Sequence, residues 1–230
     1  MDLIVLAGGA GTRLGSDVPK PLVRVGKRTL IDRVLSYWKY QEQFEIGRTI
    51  IVTSKEYGSD LWKEIADRGF ILSMDVSMIQ EEKPQGIAGA VMAAMPVMRR
   101  DEPFIVVLGD CLYRGYFSEP ILFPGVAAWP FWRSKKELKT NFAVETDHNS
   151  ITKMIESPSR SECSIGTEWL CGMGVYFLTT KIYDEIWKNT DKCFTELVGT
   201  YAGLNLIRFY GDYLNVNTPE DLAEAEKHFK

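Results

Sequence analysis

Residues 2–22 read DLIVLAGGAGTRLGSDVPKPL, and the order of residue types in this stretch decides the fold. Asp2–Ala7 is an apolar run of strand length that opens directly into a glycine cluster, Gly8, Gly9 and Gly11. A buried strand ending in glycines lets backbone N–H groups come close to a ligand, usually a phosphate. Arg13 and Lys20 add two cations beside those donors, as a triphosphate requires. Two rival phosphate motifs match less well; the first fails, and the second fits only at Gly9 and Gly11. A P-loop needs a lysine after its last glycine, but Ser16 follows Gly15. A dinucleotide-binding turn needs a third glycine where Leu14 stands, and an acid closing the second strand, which instead ends on Thr53-Ser54-Lys55.

Outward from that stretch, strand-length runs alternate with helical periodicity. Thr29–Trp38 spaces Leu30, Ile31, Val34, Leu35 and Trp38 as a helix does. Thr49–Thr53 is a β-branched strand, Asp60–Arg68 a helix, Val76–Gln80 a strand, Ile87–Met98 an alanine-rich helix and Phe104–Leu108 a fourth strand. This alternation predicts an α/β fold: a Rossmann-like, mainly parallel sheet with right-handed crossovers and helices on both faces. The later chain predicts a more antiparallel elaboration, with strands at Ala127–Trp132, Asn141–Thr146, Ile151–Ile155 and Trp169–Leu178 and a turn at Asp147–Ser150. Helices at Ile182–Lys188 and Thr195–Tyr201, a strand at Leu206–Tyr210 and a helix from Pro219 follow. With no linker or repeat, the expectation is a single domain over residues 1–230.

Composition bounds the function. The 230 residues carry 31 acidic and 27 basic side chains, a net charge of −4, which argues against a nucleic-acid partner. Cys111, Cys163, Cys171 and Cys193 show no C-x-x-C spacing and the only histidines are His148 and His228, so neither a structural zinc nor a disulfide framework is expected. The run Leu3–Ala7 is too short for a leader or a membrane span. A soluble, cytoplasmic protein without a membrane partner is the expectation, with assembly into a homo-oligomer left open.

Gly8–Leu14 (GGAGTRL) followed by Pro19-Lys20-Pro21-Leu22 resembles the nucleotidyltransferases that join sugar 1-phosphates to nucleoside triphosphates, a glycosyltransferase-A-like fold. Further stretches carry the resemblance along most of the chain. Gln80 stands upstream of Pro84–Ala90 (PQGIAGA), where the family holds the nucleobase. Gly109-Asp110 closes the fourth predicted strand, where the family's aspartate holds Mg²⁺, a hard cation that prefers oxygen ligands. Glu156-Ser157-Pro158 sits where many members read E-K-P; the family lysine is Ser157 here, with Lys153 as a substitute. Leu214–Leu222 (LNVNTPEDL) resembles a motif whose residue before T-P-E-D is a second metal ligand, here Asn217 or, as the lesser choice, Asn215. Thr218, Pro219 and Asp221 need no such role, because they suit helix capping.

The resemblance implies that Leu6, Ala7, Gly8, Gly9, Gly11, Thr12, Arg13, Lys20, Gln80 and Gly86 bind the nucleotide, and that Arg13, Lys20 and Asp110 carry catalysis. It implies Asp110 and Asn217 as Mg²⁺ ligands, and Asn141, Glu156, Gly172 and Tyr176 as acceptor contacts. For the last group, packing in the core is an equal reading. The partners implied are a nucleoside triphosphate and a phosphorylated small molecule. Two alternatives stay open: transfer to a non-sugar phosphate such as inositol phosphate or phosphocholine, for which Trp129-Pro130-Phe131-Trp132 could form an aromatic box, and a non-catalytic nucleotide-binding regulator. A NAD-dependent oxidoreductase is a distant third.

Overall fold

A computed structural model of the protein describes residues 1–129, 141–158, 168–189 and 192–229. In chain order the elements are β1 Asp2–Leu6, β2 Arg24–Val25, β3 Arg28–Thr29, α1 Leu30–Lys39, β4 Arg48–Ser54, α2 Gly58–Asp67, α3 Phe70–Ser73, β5 Val76–Glu81, α4 Gly86–Ala94, β6 Phe104–Leu108 and β7 Cys111–Phe117. There follow β8 Gly125–Trp129, β9 Phe142–Asp147, β10 Ser150–Glu156, β11 Glu168–Leu178, α5 Lys181–Lys188, α6 Phe194–Gly199, β12 Asn205–Asn215 and α7 Pro219–His228. The chain divides into two compact units: Met1–Arg100, Val106–Arg114 and Asp212–Lys230 form one, and Asp101–Ile105 with Gly115–Gly211 form the other.

The first unit is the parallel α/β part. Its strand order is β5-β4-β1-β6, with β1 parallel to β4 and β4 parallel to β5. Leu3, Ile4 and Val5 of β1 and Ile50, Ile51 and Val52 of β4 are wholly buried, as expected of strands covered on both faces. Helix α1 turns Leu30, Ile31, Val34, Leu35 and Trp38 inward, and its N-cap Thr29 accepts the Asp32 N–H. A second apolar cluster lies under the glycine loop: Leu14, Val23, Val25, Leu30, Leu112, Leu214, Val216, Ala225 and Phe229. Leu14 anchors the loop itself, while Val216 immediately precedes Asn217, so this cluster ties three distant stretches of chain together.

The second unit is largely antiparallel. Strand β9 pairs with both β10 and β11, β11 pairs with β8, and all of these pairings are antiparallel. Strand β8 lies parallel to the start of β12, and Ser150 of β10 faces Asn205 of β12, so the pairings return to β9 as a closed circuit. The predicted α/β class, with parallel strands early and antiparallel ones late, is the observed one.

Three departures from the expected elements are found, the first with a clear physical cause. The alanine-rich helix stops at Ala94 and passes into a 3-10 turn over Met95–Val97, because Pro96 has no N–H to continue an α-helix. Strand β12 runs to Asn215, well beyond Tyr210, which places Asn215 in a strand. Strand β7 was not predicted at all; it starts directly after Asp110. Of the aromatic run, residues 130–132 lie outside the described residues. Trp129 is buried, and its indole N–H donates to the Gly211 carbonyl at 2.9 Å, so its reading is core packing.

Candidate active site

In the first unit the carboxyl ends of the parallel strands carry the polar residues, the side on which open α/β sheets bind ligands. The end of β1 is pinned from both flanks. The Gly109 N–H donates to Leu6 O at 2.8 Å, while the Thr53 hydroxyl and the Tyr57 phenol donate to Ala7 O at 3.1 and 3.3 Å. Gly109 has to be glycine, since a Cβ there would stand 2.8 Å from Leu6 O. Beyond Ala7 the chain is free of strand pairing, Gly9 is exposed, and Gly11 at φ 76° turns it into the 3-10 turn Thr12–Leu14.

Lys20 opens a second 3-10 turn, preceded by Pro19 and followed by Pro21. It lies against the loop: a Cβ on Gly11 would stand 2.9 Å from Lys20 Cβ. Although it is a lysine, only 7% of it is exposed. Burial of an ammonium demands partners, and it has two. Lys20 Nζ forms an ion pair with Asp110 Oδ2, and donates to Asn217 Oδ1 at 2.7 Å. Asp110 stands two residues past the end of β6, after Gly109, and its carbonyl accepts the Val216 N–H at 3.0 Å, which holds the Asn217 stretch alongside. Asp221 accepts the N–H groups of Asn217 and Thr218 at 3.0 and 2.8 Å, and the Thr218 hydroxyl accepts the Asp221 N–H, a reciprocal cap on α7. The capping reading of Thr218 and Asp221 therefore holds, and Asn217 is the residue that this cap aims at Lys20.

Asp110 Oδ2 and Asn217 Oδ1 thus converge on one cationic nitrogen. A carboxylate and an amide oxygen are hard donors, and a set of oxygens that already surrounds an ammonium suits Mg²⁺. No group of three or more His, Cys, Asp or Glu poised for a metal occurs among the described residues. A metal here would therefore take most of its ligands from phosphate oxygens and water. The neighbouring Cys111 is wholly buried, and burial, reinforced by the Asp110 charge, pushes its thiol well above the usual range. It is no nucleophile.

Arg13 is exposed and makes no side-chain hydrogen bond or ion pair with any described residue; Thr12 is exposed likewise. Gly86, at φ 76°, begins α4 and is exposed. Gln80 is turned toward α2, where a Cβ on Gly58 would stand 2.6 Å from its Nε2. The next residue, Glu81, turns the other way, with Oε2 3.9 Å from where a Cβ of Gly8 would be. Glu81 belonged to no quoted motif. The period-2 alternation of β5 says that only one of the pair can face the loop, and which one depends on the pairing with β4, where Gln80 lies opposite Thr53 and Glu81 opposite Ser54.

The acceptor residues lie in the second unit. Glu156 ends β10 and accepts a hydrogen bond from the Thr195 hydroxyl of α6. Asn141 is buried, and its carbonyl accepts the Ser157 N–H at 3.1 Å. Tyr176 is only 1% exposed; it stacks on Phe142 with ring centroids 5.6 Å apart and meets Phe194 edge-on at 5.0 Å. The space that Gly172 leaves is filled by the Phe142 ring. Gly172 and Tyr176 are accounted for by packing, the alternative that the sequence left open.

A glycine loop on the first parallel strand, with a buried lysine, an aspartate and an asparagine gathered beside it, defines an α/β protein with a polar cluster at the carboxyl end of its parallel strands. The chain belongs to the nucleotidyl transferase family, whose sequence profile matches residues 3–198. It is 24% identical over 245 residues to a bifunctional protein GlmU of Methanococcus maripaludis, matching 100% of this chain and 54% of that protein. It is 26% identical over 239 residues to mannose-1-phosphate guanyltransferase beta-A of Xenopus laevis, with 96% of this chain and 62% of that one covered. The chain thus spans about half the length of the curated relatives it matches. Its fold is that of the inositol-1-phosphate CTP transferase from T. maritima, at a TM-score of 0.75 and 21% identity over 99% of this chain and 96% of that one. Among the described residues no helix is long and apolar enough to cross a membrane.

Proposed function

We propose that the protein joins a nucleoside triphosphate to a sugar 1-phosphate, releasing pyrophosphate and leaving a nucleoside diphosphate sugar. The observation that carries this reading is the convergence of Asp110 and Asn217 on the buried Lys20 ammonium beside the glycine loop. A phosphate oxygen of the acceptor attacks the α-phosphorus. One new P–O bond forms there, the bridging P–O bond to the β-phosphate breaks, and pyrophosphate leaves with the electron pair. No general base is required, because a phosphate monoester, with a second pKa of about 6, is largely dianionic at neutral pH. This agrees with a described site that contains no histidine.

Catalysis on this reading is positioning and charge neutralisation. Loop amides from Gly8 to Gly11 and the Arg13 guanidinium hold the triphosphate, and Lys20 neutralises charge that moves onto the leaving group. Asp110 and Asn217 would hold Mg²⁺, which when bound supplies Lewis-acid stabilisation of phosphate charge. Asn141 and Glu156 are the proposed acceptor contacts, with Gly172 and Tyr176 shaping the packing behind them. The test is pyrophosphate release over a matrix of nucleoside triphosphates and phosphorylated acceptors, in a cytoplasm-like reducing buffer with Mg²⁺. Release with a hexose 1-phosphate supports the reading. Release only with inositol phosphate or phosphocholine reassigns the acceptor. Tight nucleotide binding without release under any pairing returns the protein to a regulator.

A further inference from the structure

We infer, on the footing of that nucleotidyl-transfer reading, that Glu81 reads the nucleobase and selects guanine. Strand β5 is parallel to β4 and β4 to β1, so Glu81 ends its strand on the side where β1 opens into the glycine loop. Its carboxylate lies against Gly8, which has no side chain to block an approach. Gln80, one residue earlier, faces Gly58 and is directed away.

The carboxylate is only partly satisfied by the protein. It accepts the Gln85 N–H at the start of α4, and burial pushes its pKa up. No cationic side chain among the described residues pairs with it; Lys55, whose backbone N–H donates to the Glu81 carbonyl at 3.0 Å, has its side chain ion-paired with Glu82 instead. A half-buried carboxylate with spare lone pairs is costly to leave so, and a ligand that offers N–H donors would relieve the cost. Among the common bases only guanine presents two such donors side by side, N1–H and the 2-amino group, at a spacing that matches the two oxygens of a carboxylate. Uracil and thymine flank their N3–H with carbonyl oxygens. Cytosine and adenine set a ring-nitrogen acceptor beside the amino group. Each of these would put a lone pair against a carboxylate oxygen, so the same group that attracts guanine rejects the others.

Calorimetric titration of the whole chain with GTP, ITP, ATP, CTP and UTP in the presence of Mg²⁺ tests this without knowledge of the acceptor. Wild type should bind GTP roughly 10- to 100-fold more tightly than UTP, ATP or CTP, the range of one bidentate base contact. ITP keeps N1–H but lacks the 2-amino group, and should bind about 5- to 10-fold more weakly than GTP. In Glu81→Gln, which preserves size, the GTP-to-ITP ratio should fall to about one and the preference over UTP should shrink or invert. Glu81→Ala should abolish the same ratio, whereas Gln80→Ala should leave it intact. Equal wild-type affinities for GTP and UTP, or a GTP-to-ITP ratio that survives both Glu81 changes, would overturn the assignment while leaving nucleotidyl transfer standing. Absence of binding by all five triphosphates would overturn both.

Discussion

Glycines mean opposite things in the two units. Gly11 stands against Lys20, a buried cation held by Asp110 and Asn217, and Gly8 stands against the carboxylate of Glu81. Gly172, in the middle of β11, stands against the ring of Phe142, which itself stacks on Tyr176. In the first unit a missing side chain leaves room for a residue that carries charge. In the second it makes room for an aromatic core. A glycine in a motif marks a close approach, and only the identity of what approaches tells chemistry from packing.

That contrast can be broken experimentally. The largest effect is expected at Asp110. Asp110→Asn keeps size and removes the charge opposite the buried Lys20, so pyrophosphate release should fall by roughly 100- to 1000-fold, with the fold retained and some loss of melting temperature. Excess chelator should abolish turnover of wild type. Full activity in chelator would remove the metal from the account. Next comes Lys20→Met, for which a loss of about 2–4 kcal/mol in transition-state stabilisation is roughly 30- to 1000-fold in kcat. Because Lys20 is buried, this change also strips Asp110 of its partner, so some loss of stability should accompany it. Arg13→Met, at an exposed position, should lose activity with no change in melting temperature. Near-wild-type kinetics for Arg13→Met would leave Lys20 alone as the triphosphate cation.

The paired glycine changes sharpen the comparison directly. Gly172→Ala should cost about 1–3 kcal/mol of stability by forcing the Phe142 ring aside, and its melting temperature should fall in step with any loss of activity. Gly11→Ala, strained at φ 76° and crowding Lys20, should lose activity well out of proportion to its stability. If the two variants behave alike, the distinction between the units is wrong. The smallest effect is expected at Asn217. Asn217→Asp should be tolerated, since it still accepts from Lys20, while Asn217→Ala should lower turnover about 10-fold. Asn215→Ala should be milder than Asn217→Ala.

The first strand and the glycine loop were legible in the sequence because they are local: an apolar run, its glycines and two cations lie within residues 2–22. The partners of Lys20 were not, because Asp110 and Asn217 are 90 and 197 positions away. Both had been marked as metal ligands, yet no spacing rule joins them to that lysine. Strand β7 went unread because Gly109-Asp110 looks like the end of an element, when the chain turns straight into another strand. Glu81 was not singled out, for a different reason. A one-residue step in a strand exchanges the faces, and only the pairing of β5 with β4 fixes which side chain meets the loop. Gly172 and Tyr176 could be read either way, since burial and ligand contact both favour small or aromatic residues in a strand.

The account stands or falls on the formation of one bond. Phosphorus NMR of the wild-type chain incubated with Mg²⁺, GTP and a hexose 1-phosphate should show the acceptor's monoester signal converted into a pyrophosphate diester, with one inorganic pyrophosphate appearing for each diester formed, and Asp110→Asn should show neither under the same conditions. Conversion of the triphosphate to monophosphate and pyrophosphate with the hexose 1-phosphate unchanged, or diester formation that proceeds equally well in Asp110→Asn, would contradict it.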